Sequence, residues 1–350
     1  MPERVRVFAP ATASNLGPGF DVLGLALERP GDVVEAEACD RPGVEIVEVT
    51  GADSLNTNPR ENVVGIAAAA ALERLPADGR GVRLWLHKQM PLGSGLGSSA
   101  ASSVGGAVAV NALFGGVLSS DDLVACALRG EAAASGTAHA DNVAPSVLGG
   151  IVLIRSSDPL DLIRLPVPDT LRVVLVHPHA RVLTAEARRR VAERSFSIGQ
   201  AVANLGNVAA LVTALHRGDL ALLGRSIRDA LVEPIRAPLV PAFAEVKRAA
   251  LDAGALGCSI SGSGPSVLAF AGSDAAAEAV AEAMQAAFTA AGLGSDRYVG
   301  PVNRAGAGEV RAKPAPVDRL GALDRALESN RPTNGADEMP GRRERGRDSG

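Results

Sequence analysis

The sequence predicts an α+β protein of two domains. A length of 350 residues corresponds to about two domains of ordinary size. Strand patterns precede helical patterns in blocks, which favours α+β domains over a regularly wound parallel sheet. Between the blocks, the stretch SSDPLDLIRLPVPDT (156–170) concentrates proline and aspartate, as domain boundaries often do. We therefore expect an N-terminal domain over 1–156 and a C-terminal domain over 157–304.

The N-terminal domain opens with strands and continues with helices rich in small residues. Val5 and Val7 alternate with Arg4 and Arg6, which is the period of a half-buried strand. Other strands are predicted at 21–28, 33–38, 44–49, 82–87 and 150–155, and helices at 62–75, 98–113 and 121–129.

The C-terminal domain places longer helical patterns between short strands. Strands are predicted at 171–176, 259–260 and 267–270, with a last one beginning near 298, and helices at 184–192, 198–216, 220–231, 238–251 and 274–291. From about residue 305 the chain becomes rich in Pro, Gly, Arg and Asp. Such a composition buries too little apolar surface to offset the entropy cost of ordering, so 305–350 is expected to be a disordered tail.

Composition excludes several classes of function. Hydrophobic residues make up 47% of the chain, which is enough for a full core, and charged residues 21%. The net charge of −4 offers no basic excess for nucleic acid or an anionic membrane. Aromatic residues, at 3%, are too few for a base-stacking platform.

Cysteine usage and the N-terminus indicate a cytoplasmic protein. Cys39, Cys126 and Cys258 are scattered and form neither a disulfide framework nor a structural zinc site. The N-terminus begins directly in a strand pattern and lacks the layout of a signal peptide. The longest apolar runs are broken by Gly, Glu or Arg, so no membrane span is expected.

The stretch PLGSGLGSSAA (91–101) lies between a predicted strand and a predicted helix. Gly93, Gly95 and Gly97 let backbone N–H groups converge without Cβ atoms in the way. The helix N-terminus adds the positive end of a dipole, so the stretch suits a phosphate group. Ser98 and Ser99 supply hydroxyls for a phosphate oxygen or a metal ion.

Three interpretations of this glycine loop compete. A Walker-type phosphate loop is excluded, because no GK[ST] occurs in the chain. A dinucleotide fingerprint fits Gly95 to Ala100, with Asp121 as the ribose acid, but Pro91 separates strand from glycines and no βαβ unit begins here. A tight structural turn before a close-packed helix is the third alternative.

Two further segments accompany the loop: PATASNLGPGFDVLG (10–24) and SISGSGPSVLAF (259–270). Together, in this order, the three segments resemble the motifs of the GHMP kinases over about residues 4–303. The resemblance implies a two-domain α+β fold, with an N-terminal domain like ribosomal protein S5 domain 2, a ferredoxin-like C-terminal domain and the active site in the cleft between them. It also implies ATP and Mg²⁺. The residues that it assigns to nucleotide binding are Asn62, Pro91, Leu92, Gly93, Ser94, Gly95, Leu96, Gly97, Ser98, Ser99, Ala100 and Ala101.

The segments between these motifs resemble the homoserine kinases within that family. They are GEAAASGTAHADNVAPSVLGG (130–150), TAEAR (184–188) and EPIRAPLVP (233–241). The resemblance implies phosphorylation of the side-chain hydroxyl of L-homoserine in threonine biosynthesis, by a homodimer that binds neither nucleic acid nor membrane. A kinase for another small hydroxylated metabolite and a non-catalytic ligand-binding member are the alternatives.

Candidate substrate residues follow from charges that match a free amino acid. Asp21 is a natural partner for an ammonium group, with Asn15 beside it, although this pair also suits an ordinary turn. Arg188 and Arg236 are the candidates for the carboxylate, which arginine binds in a fork, with Thr184 as a hydroxyl partner. Arg188 also begins a run of three arginines that could be a solvated helix face.

Candidate catalytic residues come mainly from the resemblance. It assigns Mg²⁺ to Ser99 and Glu131, and it places His139 and Asn142 against the substrate; on its own, Glu131 could be a surface residue. Asn142 stands where several relatives carry an aspartate, and an amide takes no proton at neutral pH. We therefore expect catalysis by positioning and charge stabilisation, without an obvious base. Asn62 could contact adenine or simply cap a helix.

Overall fold

The computed structural model describes residues 3–52, 54–77, 79–135 and 139–310, apart from the side chains of residues 134 and 135. These residues belong to one compact unit. The predicted tail from residue 311 onward lies outside the described residues.

Eleven strands occur in the described residues. They are β1 (Arg4–Ser14), β2 (Leu23–Cys39), β3 (Val44–Thr50), β4 (Gly81–His87), β5 (Ile151–Ser157), β6 (Leu160–Leu165), β7 (Arg172–Pro178), β8 (Gly257–Ile260), β9 (Val267–Ala271), β10 (Ser295–Pro301) and β11 (Gly308–Glu309).

Ten α-helices lie between and after these strands in the described residues, together with a 3-10 turn at Ala237–Leu239. They are α1 (Val63–Leu72), α2 (Ser98–Leu113), α3 (Ser120–Ser135), α4 (Ala140–Leu148), α5 (Thr184–Ala192), α6 (Ile198–Arg217), α7 (Leu220–Ser226), α8 (Glu233–Arg236), α9 (Phe243–Asp252) and α10 (Asp274–Ala290).

Two sheets organise the chain. The first runs β11-β1-β2-β4-β3, and the β5–β6 hairpin joins it through β2. Its pairs are antiparallel except β3 with β4. The second sheet is antiparallel, in the order β10-β7-β9-β8. The glycine loop follows β4 of the first sheet, and the segment 259–270 forms the turn between β8 and β9 of the second.

Helix α2 is the central helix against the first sheet. Most of its residues are small and buried, so it packs closely on its neighbours. A Cβ on Gly105 would clash with the Val34 side chain of β2, and one on Gly106 would clash with the backbone of Val64 in α1. These close approaches fix the position of the α2 N-terminus, where the glycine loop ends.

The predicted elements are largely present, with several differences. The strands predicted at 21–28 and 33–38 are one long strand, β2, and the helix predicted at 220–231 ends at Ser226. The sequence did not predict α4 and β6. Strand β6 lies inside the predicted boundary segment and pairs with β5, so this hairpin spans the domain limit predicted at residue 156. The domain limits themselves stay predictions. Residues 305–310, assigned to the tail, instead return to the first sheet through the pairing of β11 with β1.

Helix α6 is unusually apolar for its exposure. No charged residue occurs from 198 to 215. By length and composition α6 could cross a membrane, and 22% of its most apolar stretch is buried. The sequence analysis expected no run of this kind. Length and composition alone do not distinguish a helix that spans a bilayer from a helix whose apolar face is covered by a partner.

Candidate active site

The glycine loop adopts a backbone that only glycine adopts readily. Gly93, Gly95 and Gly97 have φ angles of 67°, 77° and 64°, all in the left-handed region where a Cβ is strained. Three such residues in five turn the chain sharply from the end of β4 into α2. This backbone suits both the phosphate-binding and the tight-turn interpretations of the loop.

The space beside each glycine is filled by another part of the chain. A Cβ on Gly95 would lie 2.5 Å from the Ser261 carbonyl oxygen, and one on Gly93 would lie 2.9 Å from Nε of Arg181. A Cβ on Gly97 would clash with Thr12. The loop is therefore held by the β8–β9 turn and by β1, so close packing as well as room for a phosphate requires glycine at these positions.

The N-terminus of α2 presents backbone donors. Gly97 is the N-cap, and it has no side chain to bond the first amides of the helix. The N–H groups of residues 98–100 have no acceptor within the helix, as in the first turn of any α-helix. Convergent amides and the helix dipole favour an anion at this position.

A cavity of about 470 Å³ lies in front of the loop. Both halves of the chain line it, with β1, the glycine loop, α3 and α4 on one side and α5, α8 and the β8–β9 turn on the other. Its lining is Ser14, Asn15, Asp21, Leu92, Gly93, Ser94, Gly95, Gly97, Ser98, Ser99, Glu131, His139, Asp141, Asn142, Arg181, Leu183, Thr184, Ala185, Arg188, Arg236, Gly262 and Ser263.

A chain of hydrogen bonds crosses the cavity from the glycine loop to Asp21, in the turn that follows β1. Ser99 Oγ donates to Glu131 Oε2 at 2.6 Å, and Glu131 Oε1 lies 3.0 Å from Nδ1 of His139. Arg188 Nε donates to Nε2 of His139 at 2.9 Å, and the two terminal nitrogens of Arg188 donate to Asp21 at 3.0 and 2.9 Å. Five predicted site residues therefore form one network.

This network fixes the tautomer of His139. Because Arg188 only donates hydrogen bonds, Nε2 of His139 accepts and carries no proton. Nδ1 then carries the proton and donates to Glu131. Glu131 thus accepts from both Ser99 and His139, which holds its carboxylate beside the loop serine.

The turn at 15–21 carries strained polar residues. Asn15 and Asp21 have φ angles of 74° and 58°, in a region that Asn and Asp tolerate better than most residues. Asn15 Oδ1 accepts from the Asp21 amide at 3.2 Å, and its Nδ2 donates to the Gly262 carbonyl at 3.0 Å. The local Asn–Asp turn is therefore present, and it brings both side chains to the cavity.

Arg236 is a buried cation in the cavity wall, 3% exposed. Its Nη1 donates to Gly262 at 2.8 Å, its guanidinium lies 4.9 Å from the centre of the Phe20 ring, and its Nε is a buried atom without a hydrogen-bond partner among the described residues. Burial, and then the positive charge of Arg188, lowers the pKa of Arg236 to about 10. An anionic ligand would offset both the cost of burying this charge and its repulsion from Arg188.

Asp141 is a site residue that the sequence analysis did not assign. It is 3% exposed and lies in the cavity wall. Burial, and then the negative charge of Asp21, raises its pKa to about 6. Next to it, Asn142 donates to Asp141 at 3.4 Å and accepts from Thr12 Oγ1 at 2.9 Å. With its oxygen engaged by Thr12, Asn142 is placed to donate.

Not every predicted residue lines the cavity. Leu96, Ala100 and Ala101 are buried in the core, and Pro91 and Asn62 lie outside the lining. Asn62 is the N-cap of α1, accepts from Val64 N and donates to the Asn56 carbonyl. Its adenine contact stays a prediction. Residues that line the cavity and were not assigned from the sequence are Ser14, Asp141, Arg181, Leu183, Ala185, Gly262 and Ser263.

The protein oxygens near Ser99 suit a metal ion that a bound ligand also coordinates, and they do not suit a metal ion enclosed by protein side chains alone. Among residues 3–310 that the structure describes, no group of three His, Cys, Asp or Glu side chains could hold a metal ion. Mg²⁺ prefers one or two protein oxygens together with nucleotide phosphates. The Ser99–Glu131 pair beside the loop fits that pattern.

Comparison with known proteins gives the family. The sequence profile "GHMP kinases N terminal domain" matches residues 62–150, and "GHMP kinases C terminal" matches residues 211–290. The homoserine kinase of Chlorobium phaeobacteroides (strain BS1) is 47% identical over 313 residues, which are 86% of this chain and 97% of that protein. The chain belongs to the homoserine kinase family, within the GHMP kinases.

More distant organisms and solved structures agree with this assignment. The homoserine kinase of Arabidopsis thaliana is 46% identical over 81% of this chain and 78% of its own length. The crystal structure of homoserine kinase from Cytophaga hutchinsonii has a TM-score of 0.84 at 47% identity, covering 89% of this chain and 98% of that one. Mevalonate kinase of L. major shares the fold, with a TM-score of 0.66 at 17% identity. The predicted two-domain GHMP kinase fold is confirmed.

Proposed function

We propose that the protein transfers the γ-phosphoryl group of ATP to the side-chain hydroxyl of L-homoserine, giving O-phospho-L-homoserine and ADP. The observation that carries the proposal is the shared cavity: the amides of the glycine loop open onto the same 470 Å³ space as the buried cation Arg236. A phosphate site and a carboxylate site then lie within reach of one small molecule. The homoserine kinases that the chain resembles support the choice of amino acid.

Recognition of the amino acid rests on charges of both signs. We assign the substrate carboxylate to Arg236, whose buried Nε has no hydrogen-bond partner in the part of the chain that the structure describes, and to Arg188. We assign the ammonium to Asp21 and to Asp141, a buried carboxylate whose pKa is raised by burial and then by the negative charge of Asp21, so that a cation between the two would be favoured. Thr184, 3.3 Å from Ser263 by its hydroxyl, and Asn15 complete the wall.

Nucleotide binding rests on the glycine loop and α2. The amides of residues 98–100 and the hydroxyl of Ser98 face the phosphates. Ser99 and Glu131 would hold Mg²⁺, which when bound neutralises negative charge on the phosphate oxygens. The compact Ser99–Glu131 contact of 2.6 Å favours a catalytic protein over a non-catalytic ligand-binding member, because such a member has no need of a metal site.

The chemistry needs orientation more than proton abstraction. In the transfer, a bond forms between the substrate hydroxyl oxygen and the γ-phosphorus, the bond from the γ-phosphorus to the ADP oxygen breaks, and the hydroxyl proton leaves to a phosphate oxygen or to solvent. Asn142 donates rather than accepts, since Thr12 occupies its oxygen. The residues act by placing the hydroxyl in line and by stabilising charge.

We further propose a cytoplasmic homodimer in which α6 packs against a second copy. Ile198, Val202 and Leu205 are 84%, 62% and 69% exposed, on one face of a helix about 30 Å long. A stable interface buries about 800 Å² per partner, so residues flanking α6 would take part together with its apolar face. Light scattering with size exclusion should show a dimer that Val202→Glu dissociates, while Ala279→Glu on the exposed side of α10 leaves it intact.

The test of the activity is a coupled ADP-release assay with MgATP across L-homoserine, L-serine, L-threonine, mevalonate and galactose. We expect kcat/KM to be highest for homoserine by at least about tenfold, because mevalonate and galactose carry no ammonium group and serine and threonine carry their hydroxyl one carbon nearer the α-carbon. Equal or faster turnover of mevalonate or galactose would replace the amino acid by another hydroxylated metabolite. No turnover of any compound, with ATP still bound, would favour the non-catalytic alternative.

A further inference from the structure

Two charged side chains are buried beneath the glycine loop. Lys88 directly follows β4 and is 3% exposed, and Asp32 in β2 is 0% exposed. They form an ion pair. Burying both charges is costly unless further hydrogen bonds satisfy them, so the contacts of this pair show what it holds in place.

The lysine binds the first turn of α2. Its Nζ donates to the Ser98 hydroxyl at 2.7 Å, to the Ser98 carbonyl at 2.9 Å and to the Ser102 hydroxyl at 2.9 Å. Asp32 accepts from the Gln89 amide at 3.1 Å and from Ser102 at 2.7 Å. The pair therefore joins β2, the end of β4 and the N-terminus of α2.

The ammonium group fixes the direction of the Ser98 hydroxyl. An ammonium donates hydrogen bonds and accepts none, so the Ser98 hydrogen cannot point toward Lys88. Within the described part of the chain, no hydrogen-bond acceptor is paired with that hydrogen, and Ser98 is part of the cavity wall. The remaining direction for the hydroxyl hydrogen is into the cavity, in front of the loop amides.

We propose that Lys88, held by Asp32, is a positioning residue that keeps Ser98 as a hydrogen-bond donor toward the phosphates of ATP. The inference rests on the proposed function and deepens it. A neutral partner such as serine could both donate and accept, and would leave the Ser98 hydroxyl free to rotate. The lysine removes this freedom before the nucleotide binds, which is the general advantage of a preorganised donor.

The test measures ATP affinity by calorimetry in a double-mutant cycle. Lys88→Met with Asp32→Asn removes both charges, keeps similar volumes and leaves an acceptor for the Gln89 amide. We expect its Kd for ATP to rise roughly tenfold, as for one hydrogen bond to a charged group, with the homoserine KM within about twofold of the parent value. Ser98→Ala should raise the Kd for ATP by a similar factor. The triple variant should have a Kd less than about twofold above that of Ser98→Ala alone.

A purely structural pair would behave differently. Removing such a pair would raise the Kd for ATP by the same factor in the parent and in the Ser98→Ala background, and that result would overturn the proposal. A Kd for Lys88→Met/Asp32→Asn within twofold of the parent value would overturn it as well. The matched control is Arg172→Met with Asp274→Asn, which removes an ion pair at the start of β7, outside the cavity lining; its ATP affinity should be unchanged. If the double variant does not fold, Ser98→Ala decides: unchanged ATP affinity refutes the role. Parent protein that binds no ATP refutes the proposed function itself.

Discussion

Arg188 binds Asp21 through both of its terminal nitrogens, at 3.0 and 2.9 Å. The two residues are 167 positions apart, and the sequence analysis assigned them separately to the carboxylate and the ammonium of one substrate. In this structure each is the partner of the other. An amino acid that binds both must exchange this ion pair for its own two charges.

This exchange makes the effects of Asp21 and Arg188 interdependent. We expect Asp21→Asn and Arg188→Met each to raise the homoserine KM by at least about tenfold, because each removes a charge that the substrate needs. The KM for ATP should change less than about twofold. Arg190→Met, on the same helix but paired with Glu186, is the control. Unchanged homoserine KM in both variants would show that the pair is only structural.

Arg236 should tolerate no substitution by lysine. Its buried guanidinium contacts Gly262 and stacks near Phe20, and a lysine offers neither the fork nor the flat face. We expect Arg236→Lys to lower kcat/KM for homoserine by about 100-fold, mostly through KM, with the ATP KM nearly unchanged. Steady-state kinetics with each substrate varied in turn measure this. A loss confined to kcat would contradict the carboxylate assignment.

Glu131 should matter for turnover rather than for amino-acid affinity. We expect Glu131→Gln to lower kcat by about 100-fold or more and to raise the Mg²⁺ concentration needed for half-maximal rate, because the amide is a weaker metal ligand than the carboxylate. Glu186→Gln, on α5 but outside the cavity lining, serves as the control. A Mg²⁺ titration that is unchanged in Glu131→Gln would remove this residue from the metal site.

His177 should make folding sensitive to acid. Burial lowers its pKa to about 4 from 6.5, so the unfolded chain binds a proton between these values and the native state does not. The free energy of unfolding should therefore fall as pH drops from 6.5 to 4, by up to about 3 kcal/mol from this residue. In urea denaturation, His177→Gln should lose less stability than the parent over that range. Parallel pH profiles would contradict the buried neutral histidine.

Asp141 should act in the opposite direction. Burial raises its pKa to about 6, so the native state binds a proton more tightly than the unfolded chain between pH 3.8 and 6. Its charge therefore costs stability above pH 6, by up to about 3 kcal/mol, and this cost disappears below pH 4. Asp141→Asn should be more stable than the parent at pH 7.5, with a difference that shrinks toward pH 4.5. A constant difference across this range would argue against the raised pKa.

Local patterns allowed the glycine loop and most elements to be predicted. The spacing of Gly93, Gly95 and Gly97 ahead of two serines indicates a tight backbone turn before a helix. Ser98 to Leu113 is helical as expected. Helix α4 was missed because it spans only nine residues, contains Pro145 and is preceded by His139, an N-cap residue whose side chain makes no capping hydrogen bond. Its local sequence resembles a loop, and contacts with the rest of the fold make it a helix.

Long-range partners could not be predicted from spacing. Nothing near Lys88 in the sequence indicates that its charge is met by Asp32, or that Arg181 lies against Gly93. The same is true of Asp141: its residue type was visible, but its burial and the neighbouring charge of Asp21 depend on how the two halves of the chain meet. The family resemblance supplied roles for individual residues, and the fold supplied the network that joins them.

The central claim is that the glycine loop and the N-terminus of α2 bind the triphosphate of ATP beside the amino-acid site. A crystal structure with Mg²⁺, a non-hydrolysable ATP analogue and L-homoserine tests it most directly. The account predicts phosphate oxygens on the amides of Ser98, Ser99 and Ala100, with the homoserine carboxylate on Arg236. A nucleotide bound elsewhere, or with those amides turned away from its phosphates, would contradict it.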